Sequence, residues 1–271
     1  MRSASVGHQC PDCVKAGAAS VRPVKGAYGG SARLNAPPVV TYTIIAANLV
    51  MFVITKGWSL SLFSSGEDQA VPTKLFFHLA NIGYVPAGGA GLYGDGIAQG
   101  AYYRLVTANF LHYGVIHLAL NMAALYQVGP MVEQLLGRLR FAAVYTAAGV
   151  GGLAFSFFAG PAFSAGAGAS AAVFGLFGAW WVLERKRNLD PDSVTSTILI
   201  SFVYGFFIPN VDWRGHVGGL VVGAAVAAAI VYAPRERRGQ AQLIGTLGVA
   251  VLVAALVVLR VHELTTSPPV F

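Results

Sequence analysis

Residues 213–233 read WRGHVGGLVVGAAVAAAIVYA, a run of apolar and small residues with one arginine and one histidine near its start. A helix needs about 20 mostly apolar residues to cross the ~30 Å hydrocarbon core of a bilayer. This run is therefore long enough to span a membrane. Its glycines recur every four residues, at Gly215, Gly219 and Gly223, which lets a neighbouring helix approach its backbone closely.

Six further apolar runs lie along the chain. They cover residues 38–55, 110–132, 139–159, 168–183, 194–209 and 241–260. Only 11% of the residues are charged, against about 25% in an ordinary soluble domain. We therefore predict an all-α polytopic membrane protein with seven spans. The fourth and fifth are short, which indicates that part of their length faces protein or a water-filled cavity instead of lipid.

The formal charge of +7 is explained by membrane topology. Thirteen of the 18 lysines and arginines precede the first span or follow the second, fourth and sixth. The positive-inside rule then places the N-terminus in the cytoplasm and the C-terminus outside, in a multi-pass protein of the plasma membrane. Nucleic-acid binding needs a basic surface with a recognition motif, and neither is found, so the lipid bilayer is the predicted partner.

The polar residues 1–37 are predicted to form a cytoplasmic tail, and no cleavable signal peptide is expected because the first apolar run begins near residue 38. The tail contains HQCPDC, with His8, Cys10 and Cys13. Structural zinc needs four ligands, so Cys10 and Cys13 with one imidazole make an incomplete site. Zinc in the tail is one hypothesis, a reduced pair of cysteines without metal is the other, and no further cofactor is predicted.

The long outer loop, residues 56–109, is rich in glycine and aromatic residues. Loops of this length are uncommon unless they have a function, and aromatic side chains suit the membrane interface. We expect an ordered element at the outer surface of the bilayer. The catalytic core is predicted at 38–233, followed at 234–271 by a cytoplasmic loop, the seventh span and an outer tail.

Polar side chains are costly inside a membrane, so each one within these spans is a candidate functional residue. The spans contain His112, His117, Asn121, Ser170 and His216. Spans two, four and six run in the same direction, and at ~1.5 Å per residue His117, Asn121, Ser170 and His216 fall at similar depths. His117 and Asn121 are four residues apart and therefore share one helix face.

A layer with one serine, one histidine and two further N–H donors indicates acyl transfer. A serine hydroxyl becomes a good nucleophile when a neutral imidazole accepts its proton, which predicts Ser170 as nucleophile and His216 as base. The oxyanion that follows needs preorganised donors, and His117, Asn121 and the Ser170 backbone N–H are available. Phe174 lies one turn after Ser170 on the same face, where its ring can hold the imidazole.

No aspartate or glutamate lies within the seven predicted spans; Asp212 and Glu133 lie at their edges. This excludes an aspartyl intramembrane protease, and the chain has no HExxH metalloprotease motif. Span four is lined by Gly168, Gly175 and Gly178, and together with the glycines of span six they predict that the two backbones meet.

These motifs resemble those of rhomboid proteases over about residues 100–232. GAGASAAVFG is similar to the family's serine motif, GHVGGLVVG to its histidine motif, and HYGVIHLALN to its HxxxxHxxxN signature. The resemblance implies a six-helix core with a Ser-His dyad of Ser170 and His216, oxyanion positions at His117 and Asn121, and cleavage of transmembrane protein substrates near their outer ends. The seventh span makes this a six-plus-one variant of the bacterial type.

The resemblance also carries lesser assignments and departures. Tyr103-Arg104 looks like the family's Trp-Arg pair, with Arg104 structuring the first loop, and His112 matches the conserved outer histidine. Ala171 and Tyr103 stand where many members have glycine and tryptophan, and HQCPDCV looks like half of a zinc module found before some members.

Several alternatives stay open on the sequence. His112 has either a structural or an oxyanion-side role, and His117 and Asn121 can instead bond between helices. Besides an active protease, the chain could be an inactive relative that binds transmembrane helices, or a channel using the polar layer. The lack of intramembrane acids argues against a proton-coupled transporter.

Overall fold

The computed structural model describes residues 2–3, 8–20, 28–29, 37–56, 73–86, 88–207 and 211–268. Within these ranges the helices are α1 Pro11–Ser20, α2 Val39–Lys56, α3 Lys74–Leu79, α4 Ala90–Tyr93, α5 Arg104–Thr107, α6 Val115–Leu136, α7 Arg138–Ala159, α8 Ser170–Lys186, α9 Asp192–Phe207, α10 Trp213–Val231 and α11 Arg238–Thr266. Two 3₁₀ helices cover Ile97–Gln99 and Ala108–Phe110. The strands are β1 Arg2–Ser3, β2 His8–Gln9, β3 Asn81–Ile82 and β4 Ala165–Gly166, paired antiparallel as β1–β2 and β3–β4.

A helix lies at each of the seven predicted spans, which confirms the all-α class. Four helices of the described chain are long and apolar enough to cross a membrane: α6, α7, α10 and α11. Shorter apolar segments occupy Val39–Thr55 in α2 and Asp192–Val203 in α9. The count of six spans plus one stays a prediction, as do the domain boundaries. Residues 57–72 and 87 of the long loop and residues 208–209 of the fifth span lie outside the described residues.

The predicted start of the second span is wrong. Residues 110–114 precede α6, which begins only at Val115. The backbone of Leu111 is extended, and the N–H of Tyr113 bonds to the His117 side chain across the start of the helix. His112 therefore lies in the segment leading into α6, and not on its face with His117.

Helix α8 occupies the centre of the bundle, and residues 171–179 are all buried. It packs most closely against α10, because glycines of α10 have no side chain and so allow the two backbones to approach each other. A Cβ on Gly219 would lie 2.0 Å from the Ala171 carbonyl oxygen, and one on Gly223 would lie 2.3 Å from the Gly175 oxygen. The predicted close approach of spans four and six is confirmed. The first and last turns of α8 lie beside those of α10, so the two helices are parallel.

A buried carboxylate joins α6 to α2. Glu133 accepts hydrogen bonds from the backbone N–H groups of Val40 (3.0 Å) and Thr41 (2.8 Å) and from the Thr41 hydroxyl (2.8 Å). These are unsatisfied donors of the first turn of α2, where the helix dipole favours negative charge. Glu133, placed by the sequence at the edge of a span, lies inside the last turn of α6 because that helix continues to Leu136.

Candidate active site

Ser170 is the first residue of α8 and follows a loop that two contacts hold in place. Strand β4 in that loop pairs with β3 of the long outer loop. The N–H of Gly168 donates to the Ala108 carbonyl at 2.9 Å. Ser170 itself is half-buried. The outer loop and the start of α8 therefore form one unit that fixes the serine while leaving it accessible.

The imidazole of His117 lies against this loop. A Cβ on Gly168 would lie 2.8 Å from His117 Cε1, 3.0 Å from His117 Nε2 and 3.6 Å from Ser170 Oγ. Gly168 also has φ +137°, a conformation that favours glycine. His117 and Ser170 thus meet around one glycine that has no room for a side chain.

The protonation of His117 follows from its neighbour. The backbone N–H of Tyr113 donates to His117 Nδ1 at 3.4 Å. A nitrogen that accepts carries no proton in the neutral ring, so Nε2 carries it. The N–H that faces Gly168 and Ser170 is therefore a donor, as an oxyanion site requires.

His216 lies in the first turn of α10 and is 8% exposed. Its ring stacks on that of Phe174, with 4.2 Å between the ring centroids and an angle of 11° between the ring planes. The ring of Phe202 in α9 lies near it as well, with 6.3 Å between the centroids. The predicted contact with Phe174 is present. Asp212 caps α10 by accepting from the Gly215 N–H at 3.2 Å.

Phe174 relates Ser170 to His216, because it lies four residues after Ser170 on α8 and its ring stacks on His216. Among the hydrogen bonds of the described residues, none joins the Ser170 hydroxyl to the imidazole, and His216 Nδ1 has no partner there. Catalytic hydrogen bonds are often long in unliganded enzymes and tighten only with substrate. The dyad itself stays a prediction.

Asn121 and His112 lie close to His117 but differ in their contacts. Asn121 is 6% exposed and donates one amide N–H to the His117 carbonyl at 2.9 Å, which leaves its second N–H for another acceptor. The ring of His112 is fully buried 5.0 Å from that of His117, and neither of its nitrogens has a partner in the described part of the chain. Both roles considered for His112 stay open.

Arg104 organises the outer loop. It is fully buried, and it donates to the backbone carbonyls of Phe77 (2.6 Å), Ala80 (2.7 Å), Asp95 (2.8 Å) and Tyr93. Burial lowers the pKa of its guanidinium. One side chain thus joins α3, α4 and the following turn, which fits the structuring role implied by the resemblance and shows that the described part of the loop is ordered.

Two contributors to the site were missed by the sequence reasoning. The Tyr113 hydroxyl donates to the Ala165 carbonyl in β4, and its ring stacks on His117 at 5.8 Å. Asn81 in β3 donates to the Leu153 carbonyl of α7 at 3.3 Å. A tyrosine near the membrane interface is common and does not by itself indicate a site. The sequence signal for Tyr113 was therefore only its position beside the histidines of the HxxxxHxxxN motif.

The tail cysteines lie at the start of α1, the first described helix of the chain. Cys10 precedes α1 and Cys13 lies in its first turn, and both are exposed. Backbone N–H groups of Cys13 and Asp12 lower the pKa of the Cys10 thiol. No cluster of three or more histidine, cysteine or acidic residues suited to a metal ion occurs within the described ranges. Two thiols do not complete a zinc site, and the side chain of His8 lies outside the described residues, so zinc stays a prediction.

Comparisons with known proteins all find the same family. The family model described as the Rhomboid domain matches residues 99–233. The chain is 33% identical over 227 residues to "Rhomboid protease GluP" of Bacillus subtilis (strain 168), which covers 82% of this chain and 41% of that relative. It is 32% identical over 151 residues to "Putative rhomboid protease YdcA" of the same organism, covering 54% and 75%.

A third relative is named differently. The chain is 31% identical over 146 residues to "Inactive RHOMBOID-like protein 8" of Arabidopsis thaliana, covering 50% of this chain and 40% of the relative. Similarity alone therefore does not decide whether a member is active. The YdcA match covers 75% of that relative at 32% identity, and the Rhomboid domain match and the apolar helices agree with it. This chain is therefore a multi-pass integral membrane protein of the rhomboid family.

Proposed function

We propose that the chain is an intramembrane serine endopeptidase that cleaves transmembrane-anchored proteins within or near the membrane. The observation that carries the proposal is the meeting of His117 Nε2 and Ser170 Oγ around Gly168, beside a His216 ring stacked on Phe174. The proposed nucleophile, base and oxyanion donor come from α8, α10 and α6, and Phe174 of α8 contacts the ring of the proposed base.

In the proposed reaction, Ser170 Oγ attacks the scissile carbonyl while His216 accepts the hydroxyl proton. The carbonyl oxygen becomes an oxyanion that the His117 Nε2–H, the second N–H of Asn121 and the Ser170 backbone N–H stabilise. His216 returns the proton to the leaving amine, which leaves an acyl group on Ser170. Water then attacks this ester while His216 accepts its proton, and His216 gives that proton to Ser170 Oγ as the acyl–oxygen bond breaks, which releases the acid and the free serine.

The mechanism uses a dyad and not a triad. Asp212, the carboxylate closest to His216 in sequence, is engaged in capping α10. Stacking on Phe174 replaces an acidic third member as the contact that orients the imidazole. We expect cleavage near the outer end of the substrate's transmembrane helix and a cytoplasmic N-terminus for this chain, as the resemblance and the positive-inside rule imply.

Cleavage of a transmembrane substrate in proteoliposomes tests the proposal. Wild-type protein is expected to release a fragment and to react with a fluorophosphonate at Ser170. Ser170→Ala and His216→Ala are expected to abolish cleavage, because each removes a partner in the proton transfer. Thr197→Ala is the matched control and should cleave normally, because the hydroxyl of this half-buried residue bonds only to the Ser193 carbonyl of its own helix among the hydrogen bonds of the described residues.

The second candidate is an inactive rhomboid-like protein that binds transmembrane helices. It is favoured by the relative named as inactive and by the unpaired Nδ1 of His216. A folded wild-type protein that neither cleaves any offered transmembrane helix nor reacts with a fluorophosphonate, yet retains such helices, would replace the protease proposal with this one.

A further inference from the structure

Helix α11 is attached to the bundle along one narrow face, and the proposed reaction gives this helix no role. The other faces carry exposed apolar side chains such as Leu252, Val258 and Leu259. The attached face packs against α7 and against the 3₁₀ helix Ile97–Gln99 of the outer loop. Its apolar residues recur every three or four positions: Val253, Val257, Val261 and Leu264.

Arg260 lies on this attached face, three residues after Val257 and four before Leu264. Its side chain is only 14% exposed; Nη2 donates to the Gly160 carbonyl at 3.0 Å, and Nη1 pairs with Glu263 at 2.7 Å. An arginine near the end of a membrane helix usually extends its charge to water. Here Glu263 pairs with the charge from the same helix, and the other terminal nitrogen reaches across to the end of α7.

The carbonyl that Arg260 binds lies where α7 ends and the serine loop begins. We use this name for residues 160–169, which join α7 to Ser170. The backbone of Gly160, the C-cap of α7, is extended. Carbonyls at the end of a helix lack partners within the helix, and its dipole favours a cation there. Arg260 therefore fixes the point at which the chain leaves α7.

Beyond this point the serine loop is held by the outer loop. The Tyr84 N–H donates to the Ala162 carbonyl at 2.8 Å, β4 pairs with β3, and the Gly168 N–H donates to the Ala108 carbonyl at 2.9 Å. Ala162 also belongs to the apolar cluster that includes the attached face of α11. The serine loop is thus held between α11 on one side and the outer loop on the other, and these two elements also contact each other.

We propose that Arg260 is a positioning residue for the proteolytic site: it anchors the serine loop at Gly160, and the loop carries this anchoring to Gly168 and Ser170. The inference rests on the proposed function, because proteolysis needs the serine hydroxyl and the His117 N–H around Gly168 at fixed positions. Arg260 acts through the loop and not on the reacting atoms. The seventh predicted span thereby contributes to the site.

Hydrogen exchange of the full-length protein in nanodiscs tests the anchoring without using activity. Arg260→Met keeps the apolar stem and removes the donors. The Tyr84 and Gly168 amides, whose bonds hold the serine loop, should then exchange about tenfold faster, because loss of a hydrogen bond from a charged group favours local opening by about that factor. The amide of Phe141, bonded to the Gly137 carbonyl at the other end of α7, should exchange as in the wild type.

Thr265→Ala is the matched control on the same part of α11. Thr265 is exposed, and among the hydrogen bonds of the described residues its hydroxyl donates only to carbonyls of its own helix. This variant should leave the exchange of the loop amides and the cleavage rate unchanged.

Cleavage of a transmembrane substrate in proteoliposomes tests the consequence for the site. Arg260→Met should lower kcat about tenfold with KM changed less than about twofold, because a displaced nucleophile affects the transition state more than substrate binding. Arg260→Lys retains a cationic donor and should recover part of the loss, both in kcat and in the exchange of the loop amides.

The outcomes separate this inference from the proposed function. Wild-type exchange of Tyr84 and Gly168 in folded Arg260→Met, even with a lowered Tm, would show a purely structural anchor and overturn the inference. Faster exchange with wild-type kcat would refute the link to the site. An inactive wild-type protein would overturn the proposed function, and the Gly168 amide would still decide whether α11 holds the loop. If Arg260→Met does not fold, Arg260→Gln, which keeps a polar end, must give the same changes.

Discussion

Replacing Gly168 by alanine should inactivate the proposed protease while leaving most of its fold intact. The new Cβ would lie 2.8 Å from His117 Cε1 and 3.0 Å from Nε2, closer than van der Waals contact allows. The imidazole must therefore move by about 1 Å, and a displacement of that size in catalytic groups can reduce the rate about 100-fold. Loss of an oxyanion donor costs a similar ~10²–10³ in kcat. The positive φ adds about 1–3 kcal/mol of strain.

The assay is cleavage of a transmembrane substrate in proteoliposomes, with thermal unfolding measured on the same preparation. We expect kcat to fall about 100-fold with little change in KM, because the donor acts mainly in the transition state. Gly166→Ala, two residues earlier in the same loop, is the control: its Cβ would make ordinary 3.4 Å contacts with Asn81 and its φ is not positive. A folded Gly168→Ala protein with wild-type kcat would refute the role given to His117.

Three further changes test the packing around the site through the free energy of unfolding. Gly219→Ala places a Cβ 2.0 Å from the Ala171 carbonyl oxygen and should lower the free energy of unfolding by about 3 kcal/mol or more. The control is Gly248→Ala in α11, where a Cβ meets nothing within 4 Å; it should be neutral or raise the free energy of unfolding by up to ~1 kcal/mol. Equal Tm values for the two variants would contradict the close packing of α8 on α10. Arg104→Gln leaves several loop carbonyls without a donor and should cost about 3 kcal/mol, and failure to lower the Tm would show that the loop does not depend on this residue. Glu133→Gln removes the charge that accepts three hydrogen bonds at the start of α2 and should cost about 1–3 kcal/mol, measured by denaturant unfolding in mixed micelles; an unchanged midpoint would argue against a charged cap.

The helices were predictable from sequence because a bilayer imposes a simple length rule on apolar runs. The direction of span six relative to span four also followed, since each crossing reverses the chain. The start of α6 did not follow, because Leu111 and Tyr113 are apolar enough to continue a span. At this point the backbone is extended at Leu111 and at Gly114, the residue before α6, and the Tyr113 N–H bonds to the His117 side chain; hydropathy records none of these features.

The strand pair behind the serine was likewise beyond sequence reasoning. Asn81 pairs with Gly166 and Ile82 with Ala165, across more than 80 residues of chain and with two residues on each side. Strands this short carry no detectable alternation, so only the folded chain reveals them. Yet this pairing connects the described part of the outer loop to the segment that positions Ser170.

The depth of a polar residue along a helix can be counted from sequence, but the lateral distance between two helices depends on which side chains are missing between them. Ser170 and His216 lie on neighbouring helices because Gly219 and Gly223 let α10 rest on the backbone of α8. The proposed dyad therefore depends on residues that take no part in proton transfer. If this reasoning is right, filling one of those glycines should separate the serine from the histidine as effectively as removing either of them, although every motif residue of the chemistry remains in the chain.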